Sequence, residues 1–367
     1  MFKVIEMWSE VGSDFWKYTI SDYENNELFF WEGNEYNKLY LKSGRNAIKA
    51  ICKVLSECKK KVMLPIYTCE TVIEPFIDEG WEVCFYKLNR DLSIDKTRFM
   101  LTYFAEQPSV VLVHSYFGFN TIKDESFLES CKSDGTIIVE DITQSLFSKH
   151  YLKCADFYVG SFRKFFAIPN GGLIASKRSL ENIEIESCDK AIDNVALKAF
   201  KLKSYYFKDE TEEKKLAFRE QYELLNKIIS KNNKIEEISD ISKKIIFSCE
   251  SDSILLSRQN NYSMLFEAIK EFNYIKPVLN LKSNNCAPLY FPIYVDNRES
   301  LQSYLRDANV YCPIIWKKPM QVLIEDVETE YMYEHMLCIP IDQRYGEDEM
   351  KKIIKLLTDY AMNKGKR

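Results

Sequence analysis

Thr136-Ile-Ile-Val-Glu-Asp141 is followed, about one strand further along the chain, by Ser161-Phe-Arg-Lys164. The first stretch is a continuous apolar run that ends in acidic residues, which is typical of a buried parallel strand. In open α/β sheets, ligands bind at the carboxyl ends of the strands, where Asp141 is expected to lie. Together the two stretches predict a site in which a carboxylate and a lysine face one ligand.

The residues around these stretches alternate between strand and helix patterns from about Leu39 onward. Residues 61–65 predict a short strand, 70–79 an amphipathic helix that Gly80 closes, and 81–86 the next strand. Alternation of this kind indicates an α/β fold with a mostly parallel central sheet and helices on its faces.

Two strand-like stretches, 156–160 and 172–176, flank the Ser-x-x-Lys segment, and we expect them to pair as the last strands of this sheet. The later part of the chain is typical of a smaller α+β domain. There the patterns predict helices over 258–272 and 347–362, and strands over 290–295 and 336–341.

We therefore predict four parts. Residues 1–38 form an N-terminal segment, 39–178 a large α/β domain that binds the ligand, 179–230 a helical and charged connection, and 231–367 a small C-terminal α+β domain. The length of 367 residues is sufficient for two or three domains.

The composition is that of a globular protein, with 46% apolar and 29% charged residues. A net charge of −5 argues against a nucleic-acid partner, because such proteins carry basic patches. The eleven cysteines form no Cys-x-x-Cys or Cys/His cluster, so neither a metal site nor a disulfide scaffold is expected. With no secretory signal and no stretch long enough to cross a bilayer, we expect a cytoplasmic protein away from membranes.

Asp141 and Lys164 suit pyridoxal phosphate (PLP), whose ring nitrogen and aldehyde need an acid and an amine. A carboxylate at the strand end can stabilise the protonated ring nitrogen. The alternative for Asp141 is a helix N-cap, since Asp141-Ile-Thr-Gln would open a helix well, and the two interpretations have about even weight. Gln144, one helical turn further on, could reach the phenolic oxygen of the ring.

Lys164 is predicted to bind the cofactor covalently and, once released, to move a proton at the substrate carbon. An ordinary surface lysine would give the same short motif, so its placement after the strand carries the argument. Gly171-Gly172 would let the backbone approach closely on the far side of this loop.

Ser43-Gly44-Arg45-Asn46 precedes an obvious helix over 47–55. Backbone N–H groups at such a helix start, with Gly44 admitting close approach, form a phosphate site to which Arg45 or Ser161 could add contacts. A capped helix without a ligand is the commoner situation for an isolated segment of this kind. His114, at the end of the neighbouring strand, could border the substrate or could be a buried structural histidine.

Taken in order, these segments resemble the DegT/StrS-type sugar aminotransferases, a family of fold-type-I PLP-dependent enzymes with a three-layer fold. The resemblance runs from about Tyr40 to Ser176 and rests on five short segments in the family order: Ser43–Ala47, Pro65–Thr68, His114–Gly118, Glu140–Gln144 and the Ser-x-x-Lys. It implies cofactor contacts from Gly44, Arg45, Asp141, Gln144 and Ser161, with Lys164 as the lysine bound to the cofactor. It also implies a homodimer with its active sites at the subunit interface.

The sequence departs from that family at three places. Most relatives place the lysine five residues after the serine, where this chain has Phe166, so Lys164 is the candidate. Relatives stack an aromatic ring on the cofactor at the position of Cys69, so either Cys69 packs there or Tyr67 replaces it. The segment by which a partner subunit reaches the phosphate has no counterpart over 180–229.

The resemblance implies an aminotransferase that transfers an amine from an amino acid such as glutamate to a keto sugar, nucleotide-linked, in surface polysaccharide or glycoconjugate synthesis. Arg163, beside Lys164, is with His114 a candidate for the substrate side. Two alternatives stay open: another PLP-dependent reaction such as dehydration or decarboxylation, and a non-catalytic homologue.

Overall fold

A computed structural model describes residues 9–21, 29–181, 183–231, 234–279, 285–323 and 326–364. The larger of its two sheets has seven strands: β1 (Asn37–Leu41), β2 (Lys61–Pro65), β3 (Glu82–Tyr86), β4 (Val110–His114), β5 (Ile137–Asp141), β6 (Phe157–Ser161) and β7 (Gly172–Ser176). Helices α1 (Gly44–Val54), α2 (Glu70–Asp78), α3 (Lys96–Glu106) and α4 (Ser126–Ser133) connect and cover them.

The order of the strands is β1-β7-β6-β5-β4-β2-β3, and β2 to β6 run parallel. The predicted α/β fold with its mostly parallel sheet is confirmed. β6 and β7 pair antiparallel as expected, but β7 is not the last strand, because β1 pairs with its outer edge. Every residue of β4 and β5 is buried, as their unbroken apolar runs predict.

The second half of the described chain begins with a pair of long helices, α5 (Ala191–Tyr206) and α6 (Glu212–Ser230). They pack on each other through an aromatic cluster in which Tyr206 and Phe218 lie 5.3 Å apart between ring centroids. The remaining elements are α7 (Asp240–Phe247), α8 (Ser251–Ile269), β8 (Ile275–Pro277), β9 (Tyr290–Val295), α9 (Arg298–Asp307), α10 (Val327–His335), β10 (Met336–Pro340) and α11 (Glu347–Lys364).

β8, β9 and β10 form a small antiparallel sheet in the order β10-β9-β8, and α8 packs against both α11 and this sheet. The C-terminal part of the chain therefore contains both an antiparallel sheet and helices, which is the α+β character that the sequence predicts. The boundaries at residues 38, 178 and 230 stay predictions, and residues 1–8 and 22–28 of the predicted N-terminal segment lie outside the described residues. No helix in the described ranges is long and apolar enough to span a bilayer.

Residues 9–16, which we name the N-terminal strap, contact segments that are distant from them in sequence. Val11 donates its backbone N–H to Asn309 at 2.9 Å and accepts from that of Tyr311 at 2.8 Å. On the other side, the α6 residue Tyr222 donates its hydroxyl to the carbonyl of Phe15 at 2.8 Å. The strap therefore joins α6 to the C-terminal part of the chain.

Helix α1 begins at Gly44, three residues before the predicted start at 47, because Ser43 caps it by accepting from the N–H of Asn46 at 3.3 Å. Gly172 of β7 lies against this start. A Cβ atom on Gly172 would lie 2.2 Å from the carbonyl carbon and oxygen of Ser43, which only glycine avoids. The close approach expected at Gly171-Gly172 is therefore made, and its partner is the backbone that positions α1.

Candidate active site

A cavity of about 340 Å³ lies at the carboxyl ends of β4, β5 and β6. Every site residue predicted from the sequence lines it except Tyr67; these are Gly44, Arg45, Cys69, His114, Asp141, Gln144, Ser161, Arg163 and Lys164. The parallel register explains much of this. His114 and Asp141 are directly opposite each other in neighbouring strands, as are Asp141 and Val159 near the end of β6.

Asp141 is held by a short chain of side chains on the sheet. Its carboxylate lies 3.2 Å from Nδ1 of His114, whose Nε2 lies 2.7 Å from the hydroxyl of Thr68. Its other oxygen accepts from the N–H of Thr143 at 2.9 Å. Burial alone would raise the pKa of Asp141, but these donors and the adjacent imidazole keep that pKa below its ordinary value. Asp141 is therefore an ionised carboxylate at the cavity wall.

The helix expected after Asp141 does not form, so the N-cap alternative is wrong. Residues 143–147 make turns instead, and Gln144 reaches the cavity through them. The side-chain oxygen of Gln144 accepts from the backbone N–H of Phe117 at 2.6 Å. This bond links the turn to the segment after β4 and fixes the amide at the wall.

Lys164 ends a single 3₁₀ turn, Phe162–Lys164, that directly follows β6. Its side chain is open to the cavity and is at the same time surrounded by protein. This removal from bulk water lowers the pKa of the Lys164 amine, and the neighbouring Arg163 cation lowers it further. A lysine with a lowered pKa carries more of the neutral amine, which is the nucleophilic form.

The start of α1 and the end of β6 meet at the other side of the cavity. A Cβ atom on Gly44 would lie 3.6 Å from that of Ser161, so the free N–H groups of the helix and the serine hydroxyl are near neighbours. Nε of Arg45 is buried and makes no hydrogen bond to the described residues, with the carboxylate of Glu74 3.6 Å away. We refer to this group of donors as the anion site, because donors of this kind are suited to an anion.

The structure does not bring Tyr67 to the cavity. Its side chain is fully buried, its hydroxyl donates to the carbonyl of Ile315, and its ring packs 4.8 Å from that of Tyr333. Of the two candidates for the position over the ring, only Cys69 lines the cavity. The aromatic residue found there is Trp316, whose ring lies 5.4 Å from His114 between centroids.

Sequence reasoning missed two groups of lining residues. Trp316 comes from the irregular segment after α9, and Asn226, Ile229 and Ser230 come from the end of α6, a helix that the sequence predicted only as a connection. No motif marks either group. Asn226 is the more important because its side-chain oxygen accepts from Arg163 at 2.8 Å. For metals, the described ranges contain no group of three His, Cys, Asp or Glu residues able to hold an ion.

Glu140, next to Asp141, points away from the cavity and is almost fully buried. It accepts from the hydroxyl of Ser115 and, at 2.7 Å, from the N–H of Leu152. Burial raises its pKa from 4.5 to about 7, although both hydrogen bonds act in the opposite direction. The protein therefore carries an acid behind the site that titrates near neutral pH.

This raised pKa predicts a pH-dependent stability. Between pH 4.5 and about 7 the native state binds the Glu140 proton more tightly than the unfolded chain does. The free energy of unfolding is therefore expected to fall as pH rises through that window, by about 3 kcal/mol in total. Urea unfolding at a series of pH values measures it.

Glu140→Gln, which imitates the protonated acid, is expected to remove this fall. Glu213→Gln, an exposed change on α6, is the matched control and should follow the wild-type curve. Parallel curves for the wild type and Glu140→Gln would contradict the prediction.

No protein-family model and no curated protein matches this sequence. Solved structures with the same fold do exist. An aminotransferase involved in pseudoaminic acid biosynthesis, PseC from Helicobacter pylori, has a TM-score of 0.66 at 13% identity, over 89% of this chain and 87% of that one. A DegT/DnrJ/EryC1/StrS aminotransferase from Brucella abortus has a TM-score of 0.63 at 16% identity, over 89% and 86%.

NtdA from Bacillus subtilis, solved with bound cofactor PMP, has a TM-score of 0.65 at 15% identity, over 89% of this chain and 73% of that one. All three matches extend over most of both chains, so they concern the whole architecture and not a shared fragment. The TM-scores establish the fold. Because the sequence identities are low, the activity must be inferred from the residues of the site. The chain has the fold of the DegT/StrS-type sugar aminotransferases.

Proposed function

We propose that this protein is a PLP-dependent aminotransferase. It transfers an amino group from an amino acid such as glutamate to a keto sugar, nucleotide-linked, in surface polysaccharide or glycoconjugate synthesis, and it acts as a cytoplasmic homodimer. The observation that carries the proposal is that Asp141 and Lys164 line one cavity with the anion site at the start of α1. Structures with this fold agree with it, since one is an aminotransferase involved in pseudoaminic acid biosynthesis and another was solved with bound cofactor PMP.

The residues present fit the cofactor. The anion site is suited to a phosphate, since it combines a helix N-terminus with the hydroxyl of Ser161 and with Nε of Arg45, which makes no hydrogen bond to the described residues. Asp141 is suited to a protonated ring nitrogen and Lys164 to an aldehyde. When bound, PLP supplies an aldehyde that captures amines and a ring that withdraws electrons from the carbon bearing the amine.

The protein's own groups have separate tasks. Asp141 stays ionised and is held in place by His114, which Thr68 fixes in turn. Lys164 offers an amine of lowered pKa, so that its Nζ can take a proton from the Cα of the donor and return one to the acceptor carbon. Trp316, from the segment after α9, and Cys69, the residue before α2, line the same cavity.

The direct test uses the purified wild-type protein. Adding PLP is expected to give the visible absorbance of a lysine-bound cofactor, and adding glutamate should replace it with the near-ultraviolet absorbance of pyridoxamine phosphate. A protein that stays colourless with PLP would contradict the cofactor. A coloured protein that no amino acid converts would instead indicate another PLP-dependent reaction.

A further inference from the structure

A second cavity of about 320 Å³ adjoins the first. The two share five lining residues: Ser161, Arg163, Lys164, Asn226 and Leu289. The second cavity extends from Lys164 towards the N-terminal strap, of which Gly12 to Phe15 form part of the wall. A molecule in this space would therefore also reach Lys164.

Two of the arginines in this second cavity are hydrogen-bonded through all three of their guanidinium nitrogens. Arg258 is fully buried and donates to the side chain of Gln343 and to the carbonyls of Pro288 and Leu289. Arg344 forms a two-bond pair with Asp342, at 2.7 and 2.8 Å. Both guanidinium groups therefore hold the protein together and are already neutralised or bonded.

Arg163 is different. Its guanidinium donates to Asn226 at 2.8 Å, and among the described residues no carboxylate lies within ion-pair distance of it. A guanidinium has five N–H donors, so several remain for a ligand. Burial lowers the pKa of Arg163, whereas the carboxylate of Asp14, in the same cavity but beyond ion-pair distance, acts in the opposite direction. A carboxylate with two oxygens in one plane would satisfy such a group.

Asp14 supplies the opposite charge in the same cavity. Its side chain is exposed to solvent and forms no ion pair with any residue that the structure describes. Its backbone carbonyl is bound independently, by Lys203 at 2.6 Å and by Arg344 at 3.2 Å. The position of this part of the strap therefore does not depend on the Asp14 carboxylate, which acts on ligands through its charge alone.

We propose that the second cavity binds the substrates and that Arg163 binds the carboxylate of the amino donor. This inference rests on the proposed function. A role for Arg163 in holding the cofactor phosphate is less well supported, because the start of α1, Ser161 and Arg45 already provide donors for that group. Arg163 is the arginine of the second cavity whose guanidinium makes a single hydrogen bond to the described residues, so it keeps donors for a substrate. Asp14 weakens the binding of anions there.

The test compares the wild type, Arg163→Gln, Arg163→Lys and Asp14→Asn, with Arg219→Gln on the exposed face of α6 as the matched control. Calorimetric titration with 2-oxoglutarate, with and without PLP, gives the dissociation constant for the anion. Arg163→Gln should raise it about 10- to 100-fold. Arg163→Lys should recover part of the loss, and Asp14→Asn should lower the constant about 2- to 5-fold.

Arg163→Gln and Asp14→Asn are expected to change the dissociation constant in opposite directions. Damage to the fold would weaken binding in both variants, so the comparison distinguishes it from an electrostatic effect. The affinity for PLP, followed by its absorbance, should stay within about twofold for all variants, and the control should match the wild type. An unchanged constant for 2-oxoglutarate in Arg163→Gln overturns the inference, as does a wild type that does not bind the anion. A loss of PLP affinity alone would assign Arg163 to the phosphate. A wild type that never binds PLP contradicts the proposed function, and the titration without PLP still decides the anion site.

Discussion

Lys164→Ala is expected to abolish covalent binding of the cofactor and to lower the rate of amino transfer by about 10³- to 10⁴-fold. Lys164 is the lysine among the described residues that line the cavity, and it follows β6 on a rigid 3₁₀ turn. Without its amine the cavity has no nucleophile for an aldehyde and no base near the Cα of the donor. Single-turnover kinetics and the visible absorbance of the protein with PLP measure the two losses.

The side chain of Lys164 carries no fold-defining contact, so the variant should unfold at the wild-type urea concentration. Lys177→Ala, an exposed change just after β7, is the matched control and should keep both colour and rate. Added methylamine should restore part of the rate in Lys164→Ala, because a small free amine can enter the empty position. A variant that keeps the visible absorbance of a lysine-bound cofactor would show that another lysine binds it.

Asp141→Asn is expected to lower the rate about 10²- to 10³-fold while PLP still binds. Asparagine has nearly the same size as aspartate and can still accept from Thr143, but it cannot balance a positive charge. In the native protein the pKa of Asp141 is held low despite burial, so the charge is present throughout the neutral pH range. The amplitude and rate of the glutamate half-reaction give the effect.

A weaker contact with Nδ1 of His114 would also cost stability, so urea unfolding of the variant must be measured beside its kinetics. Asp124→Asn, on the surface before α4, controls for the change in net charge. A rate within about tenfold of the wild type in a PLP-loaded Asp141→Asn would show that the carboxylate does not act on the cofactor ring.

The sheet and one wall of the site could be predicted because local patterns determine them. The apolar runs of β4 and β5 mark buried parallel strands, and the parallel register then sets His114 beside Asp141. The capping serine before α1 has an equally local signal. The local signal for a helix after Asp141 failed, because residues 143–147 form turns, although Gln144 still reaches the cavity and accepts from the N–H of Phe117.

The rest depends on contacts between distant segments. Tyr67 follows β2 closely, yet the bond from its hydroxyl to Ile315 turns it away from the cavity. Trp316 and Asn226 enter the site from irregular chain and from a helix end, where no spacing of residues identifies a ligand contact. Their places are set by the packing of the later half of the chain on the sheet.

The N-terminal strap has a consequence for how the protein is made. Glu10 and Tyr311, which it brings together, are 301 residues apart in sequence. During synthesis, the sheet and the start of α1 can therefore form before Asn309 and Tyr311, which bind the strap, have been made. Contacts of such long range form late and slowly, so we expect the strap to complete the wall of the second cavity only after most of the chain has been made.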